Sequence, residues 1–430
     1  MISRRRFLQT SSLAAGVSAA LPTLAHAAEA DKSLPPAIAA LGTLRGEAKP
    51  ITIEERAGRQ ENARRLMLTR ENNLSAILLT PGTSLAYFTG IRWEGGERLF
   101  AMVLPAKGEA FYVCPAFEEG RAREQIAQSP DGGKPDLRVW QEDDSPYARV
   151  AQGLSDRGIA SGTVGVEETV KFVFSDNLRK AAASATFTSA TPVSAGCRMI
   201  KSRHEIDLMR LASKVTLAAY EATYRSTTVG MTQRDVEDLL EAAHRKLGFD
   251  GGADVQVGEF SAFPHGSVKP QGIRESTIVL IDGGCSVEGY ASDITRTFVL
   301  GKASDKMKQV FDIVHRAQSA ALAAAKPGVE ADSVDAAARK VITEAGYGPD
   351  YKFFTHRLGH GMGMDGHEWP YLVRGNSTKL QPEMTFSDEP GIYIRGEFGI
   401  RLEDDMHILE GGAELFTPQS PALEEPFGRV

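Results

Sequence analysis

The chain has 430 residues, 42% hydrophobic and 24% charged, an ordinary balance for a globular protein. Its formal net charge is −7, and −10 once residues 1–27, which hold Arg4, Arg5 and Arg6 and no acid, are set aside. No basic stripe interrupts that acidic balance, which argues against nucleic acid as a partner, and the length exceeds what one hydrophobic core organises.

Residues 1–27 read as a leader rather than as part of the fold. SRRRFLQ carries the paired Arg4 and Arg5 followed by Phe7 and Leu8, and the apolar SLAAGVSAALPTLA leads to Ala25-His26-Ala27, a small-residue cleavage site. The pattern resembles a twin-arginine signal peptide, which implies the twin-arginine export machinery as a partner of the precursor and a periplasmic destination. The apolar stretch is too short and too alanine-rich for a stable membrane span, and Pro22 interrupts it. Residues 28–52, Pro- and Ala-rich at first, read as an extended linker.

From residue 53 the pattern becomes periodic. Residues 53–74 have helical spacing; SAILLT, RLFAMVLP, EAFYVCP, DLRVWQ and GTVGVEE then read as strands, separated by helical FEEGRAREQIA and SPYARVAQGLSDRG. The alternation predicts a mixed α/β domain over 53–195. A second domain, 196–430, opens with Ser202 and Glu205 as a capping box, and Thr232 with Asp235 starts another helix. Two more helices are expected near 303–326 and 330–346. Cys114, Cys197 and Cys285 suggest no disulfide framework.

Chemistry concentrates in four stretches of the second domain. IVLIDGGCSVEGYASDITRTF holds Asp282 and Asp293, HRLGHGMGMDGH holds His360, SDEPGIY holds Glu389 and IRLEDD holds Glu403. A hairpin symmetric about Val287 and Glu288 would set Asp282 directly opposite Asp293, with Cβ atoms about 4.5–5.5 Å apart. A second hairpin, centred near Gly396, would pair Glu389 with Glu403. Each residue alone has a bland reading: solvated hairpin charges, a structural histidine, or Glu403 paired with Arg401. Together, inside apolar strands and Gly-rich segments, they form a set too costly to bury without divalent cations. Gly361, Gly363 and Gly366 spell GxGxxG, but no helix pattern follows, and no HExxH, P-loop or GxSxG occurs.

These segments resemble the pita-bread metallopeptidases: Xaa-Pro aminopeptidase, Xaa-Pro dipeptidase and methionine aminopeptidase. The resemblance runs from about residue 55 to the C-terminus and includes LAYFTG of a creatinase-like N-terminal domain, which a bare methionine aminopeptidase lacks. It implies an α/β N-terminal domain followed by an α+β pita-bread catalytic domain. It also implies two divalent ions, with Mn²⁺ expected and Co²⁺, Zn²⁺ or Fe²⁺ as alternatives for so oxygen-rich a set. Asp282 would bind one ion, His360 and Glu389 the other, and Asp293 and Glu403 both. The implied reaction is hydrolysis of Xaa-Pro bonds in di- or oligopeptides by a hydroxide held between the ions, with Glu389 relaying the proton. His265, His356 and His367 match catalytic pocket positions, with His265 and His367 contacting substrate. Arg374 would clamp a dipeptide's carboxylate, and a homodimer is implied. Two rival functions stand beside this: a hydrolase or lyase for a small non-peptide metabolite on the same scaffold, and a non-catalytic binding module.

Overall fold

The computed structural model describes residues 34–428, so the leader lies outside the described residues. The N-terminal domain is built on six strands: β1 (Ala76–Leu79), β2 (Ala101–Pro105), β3 (Phe111–Pro115), β4 (Asp136–Trp140), β5 (Thr163–Val166) and β6 (Thr186–Ser189). Their order is β4-β3-β2-β1-β5-β6, with β2 antiparallel to both neighbours and the other pairings parallel. β1, β2 and β3 are buried throughout, as uninterrupted apolar runs require when both sheet faces are covered. The predicted strands and helices of this domain all form; β6, whose TFTS is mostly exposed, carries no apolar signal and was not anticipated.

The second domain follows from helix Arg203–Ser226. Capping boxes at Ser202–Glu205 and Thr232–Asp235 start this helix and the next, Gln233–Leu247, as the sequence predicts. The remaining strands are β7 (Gly251–Val257), β8 (Ile278–Val287), β9 (Tyr290–Ala291), β10 (Ile294–Val299), β11 (Gly359–Gly361), β12 (Glu368–Leu372), β13 (Thr385–Asp388), β14 (Gly391–Ile394), β15 (Phe398–Arg401), β16 (Asp404–Leu409) and β17 (Gly412–Leu415). One sheet runs β10-β8-β7 with β9 on β8, the other β12-β11-β13-β16-β17, and β14 pairs with β15. A bridge between Thr295 and Glu403 joins the β8–β10 hairpin to the C-terminal one. Helices Asp305–Ala324 and Ala331–Ile342 share a core with residues of β13 to β16, and helix Arg203–Ser226 packs against β8.

Two expectations are corrected here. The linker reading of 28–52 fails over its described part: Pro36–Ala39 is a short helix, and Ile38 and Ile51 are buried with Leu208, Leu211 and Leu247. Single apolar residues in a Pro- and Ala-rich stretch give no periodicity, yet here they fill a groove between helices. The β8–β9 turn is also shifted by one residue. Glu288 and Gly289 both take positive φ, 52° and 94°, forming a two-residue turn whose twist suits a hairpin. Asp282 therefore faces Thr295, and Asp293 lies diagonally from it on the same side. Among the described residues no helix is long and apolar enough to cross a membrane.

Candidate active site

Each carboxylate is delivered by a strand or by the residue next to a strand end. Asp282 sits mid-β8 after the buried IVLI run, and Asp293 lies between β9 and β10. The C-terminal hairpin keeps one register from Asp388 opposite Asp404 to Gly391 opposite Arg401, so Glu389 and Glu403 fall opposite each other across the break between strands. His360 is central in β11, its side chain 2% exposed. The structure brings all five together: atoms of Asp282, Asp293 and Glu403, and of His360, Glu389 and Glu403, lie within 4.8 Å of one another in each group. His360 Nε2 is 3.4 Å from Glu389 Oε1 and 3.8 Å from Asp293 Oδ2.

Hydrogen bonds fix how these groups point. His360 Nδ1 lies 3.1 Å from the Gly361 carbonyl, so the proton resides there and the Nε2 lone pair faces the acids, the form a metal binds. Burial, with His367 nearby, pushes the His360 imidazole down to about 3, so it stays neutral. The Thr295 hydroxyl contacts both Asp282 and Glu403, and Ser387 donates to Glu389 at 3.2 Å. Arg401, 3% exposed, is the cation among them, with Nη2 at 2.5 Å from Asp282 and Nε at 3.9 Å from Glu403. Burial works against charge on Asp282, yet Arg401 and Thr295 hold its carboxyl below the usual range.

One arginine does not balance four acids. Burial, then repulsion from Asp282, Asp405 and Glu389, drives Asp293 well above the ordinary carboxylate range. Glu403 is driven up by burial and then by Asp293, and Glu389 is pushed up to about 7, chiefly by burial. An oxygen-rich, buried, mutually repelling set with a neutral imidazole aimed into it fits divalent cations, which would remove that repulsion.

The acids floor a cavity of about 340 Å³ whose walls include Pro264, His265, His356, Arg357 and His367. That is room for a small ligand. His367 stacks on His360, ring centroids 3.6 Å apart and 20° from parallel. His356 Nε2 is 2.7 Å from the Tyr393 hydroxyl, which accepts from Arg401 Nη1 at 2.9 Å. Tyr393 must then donate to His356, whose Nδ1 proton goes to the Arg357 carbonyl at 2.8 Å. The result is a neutral His356 of one tautomer, pushed down to about 3 by burial and the positive field of Arg401.

Arg374 is the site residue the structure does not bring in. Its side chain is half exposed and pairs with Asp350 at 2.9 Å, outside the cavity. The loop's docking on Asp350 is a long-range event that sequence spacing does not encode. Arg357 was missed: it lines the cavity, lies over Tyr371 at 4.1 Å and approaches His367 Nδ1 at 3.2 Å. Its place between His356 and the buried Leu358 is the one local signal.

A fold of this kind with converging acids and imidazole over a small cavity defines a metal-dependent hydrolase. Residues 207–410 match the model of metallopeptidase family M24, and residues 59–200 the creatinase/prolidase N-terminal domain. The chain belongs to metallopeptidase family M24. It is 32% identical over 363 residues to the Xaa-Pro dipeptidase of Lactobacillus delbrueckii subsp. lactis, covering 83% of this chain and 96% of that one. The structure resembles dipeptidase PepE from Mycobacterium ulcerans, with TM-score 0.81, 33% identity and coverage of 87% of this chain and 99% of the other. It also resembles the prolidase from Thermococcus sibiricus, with TM-score 0.76, 28% identity and coverage of 86% and 98%.

Proposed function

We propose that this metallopeptidase hydrolyses Xaa-Pro bonds, with dipeptides as the preferred length. The convergence of Asp282, Asp293, His360, Glu389 and Glu403 beneath His265, His356 and His367 carries this reading. The Xaa-Pro dipeptidase and prolidase named above support the substrate class. A proline nitrogen offers no N–H, so recognition falls to side chains around the ring and the carbonyl, and the cavity supplies imidazoles there.

The donor set would hold two divalent ions, Mn²⁺ first, with Co²⁺, Zn²⁺ or Fe²⁺ as alternatives. When bound, such ions neutralise the acids, polarise the scissile carbonyl and make water nucleophilic near neutral pH. The chain's own residues do the rest. Glu389, oriented by the Ser387 hydroxyl, would take a proton from the attacking water and return it to the departing proline nitrogen. His265 and His367, at the cavity wall, would donate to the carbonyl oxygen as its charge grows. His356, fixed neutral by Tyr393 and Arg357, would border the proline ring. Arg357 replaces Arg374 as the cation placed to meet a substrate carboxylate.

Export by the twin-arginine route to the periplasm, and a homodimer, remain part of the proposal; Arg4-Arg5 and Ala25-His26-Ala27 support the first, and the family resemblance the second. An exported chain beginning at Ala28, by mass, is the expected product. Metal-stripped protein given back Mn²⁺ should cleave Ala-Pro at least tenfold faster than Ala-Pro-Ala, and Arg374→Ala should leave that ratio unchanged. Metal binding without turnover of either peptide would sink the reading in favour of a small metabolite.

A further inference from the structure

The two domains meet at the segment Met362–Glu368, which leaves β11, carries His367 and enters β12. Both flanks of His367 are held from the N-terminal side. Arg198, last residue of helix Thr191–Arg198, donates through Nη2 to Asp365 Oδ2 at 2.5 Å and to Glu368 Oε1 at 2.7 Å. The Thr83 hydroxyl also contacts Asp365. Glu368 Oε1 accepts from the Asp365 backbone N–H at 3.0 Å, closing the segment on itself. Lys201 Nζ faces the other Glu368 oxygen at 3.7 Å, both side chains under 5% exposed.

His367 has little else to fix it. The residue is exposed; its ring stacks on His360, Arg357 approaches its Nδ1, and a ring nitrogen lies within 4.8 Å of an Asp293 carboxylate oxygen. Gly363 lies so close to Glu368 that a Cβ there would come within 2.5 Å of the carboxylate, so the glutamate is seated against backbone. A grip two residues before His367 and one residue after it sets where the imidazole can stand.

We propose that Arg198 is a positioning residue: from the end of the creatinase/prolidase N-terminal match, residues 59–200, it grips Asp365 and Glu368, and so places His367 for substrate. This rests on the reading that His367 contacts substrate. Bridging two carboxylates uses the planar fork of a guanidinium, which a lysine ammonium cannot reproduce. Lys201 remains beside Glu368 when Arg198 is replaced, so the buried carboxylate is not stranded and the fold should survive.

The test is a double-mutant cycle of Arg198→Met and His367→Ala on Ala-Pro hydrolysis by the Mn²⁺-loaded protein, with metal content and melting temperature measured in parallel. Arg198→Met should lower kcat/KM by ~10- to 100-fold, the scale of a misplaced catalytic group. Metal stoichiometry should not change, and Arg198→Lys should recover part of the loss. The double variant should be no slower than His367→Ala alone, since the arginine acts through the imidazole. Losses that multiply in the double variant would overturn the proposal. A fully active His367→Ala enzyme would instead remove its premise, the role of His367. If Arg198→Met does not fold, Asp365→Asn, whose carboxylate is 44% exposed, enters the same cycle, and multiplying losses there count equally against it.

Discussion

Glu403→Gln should make the metal-free protein more stable while leaving the metal-treated protein all but inactive. Burial and the charges of Asp293, Glu389 and Asp282 all oppose ionisation of Glu403 in the folded chain. A neutral amide keeps a Thr295 contact at that position and removes the repulsion. The same change deletes one of the oxygens converging on the site, so kcat/KM should fall by roughly 10³-fold, comparable to removing a key electrostatic stabiliser. The melting temperature of the chelator-treated variant should exceed that of the native chain at pH 7.5, and metal should raise it less. A metal-free variant that melts lower would mean the acids are not in mutual opposition.

The pH dependence of the metal-free protein follows from the same repulsion. Glu389 moves from an ordinary 4.5 up to about 7, worth about 3 kcal/mol. Its folded value is raised, so between those pH values the folded state keeps a proton that the unfolded chain has released. The contribution of Glu389 is therefore full below pH 4.5 and is lost as pH rises toward 7, opposite in sign to that of Asp282, whose carboxyl is held low. Denaturant melts at pH 5 and pH 7.5 after chelation should show that loss, and divalent metal should abolish it.

Arg401→Met should have the second large effect, with the opposite sign for the metal-free chain. Arg401 Nη2 meets Asp282, Nε meets Thr295 Oγ1 at 3.0 Å, and Nη1 meets Tyr393 and the Pro264 carbonyl. Removing the single buried cation among four acids leaves Asp282 unpaired, a loss of about 3–5 kcal/mol. The Pro264 contact ties the guanidinium to the segment bearing His265, so KM should rise as well. Chemical denaturation with and without Mn²⁺ measures both: the ion should restore much of the stability but not the KM. Full stability of the metal-free variant would show that the acids are already protonated together.

The Glu389–Glu403 pair was legible because EPGIYI and GIRLEDD mirror each other about Gly396, which has φ 79° at the turn. The Asp282–Asp293 pair was legible only to within one residue. SVEG admits two turn centres, and the choice lies with Glu288 accepting a left-handed conformation that non-glycine residues seldom adopt. His360 alone reads as a structural histidine and could be found only through the company of the four acids. Arg357 and Arg374 show the limit. The resemblance singled out Arg374 and passed over Arg357, and what separates them is docking: Arg357 lies over Tyr371, while Arg374 pairs with Asp350. The Arg198 grip on Asp365 and Glu368 spans 167 and 170 residues, and no local pattern announces a contact at that range.

The continuous register of the C-terminal hairpin has a bearing on how such a chain can vary. Side chains on a strand alternate faces, so a one-residue slip in the pairing of these arms would turn one of them over and send Glu389 and Glu403 to opposite sides. The bend that sets this pairing is itself held by a left-handed Gly396 and by the ion pair of Glu397 with Lys306. A bend outside the cavity thereby acts as the gauge that keeps the catalytic floor in alignment.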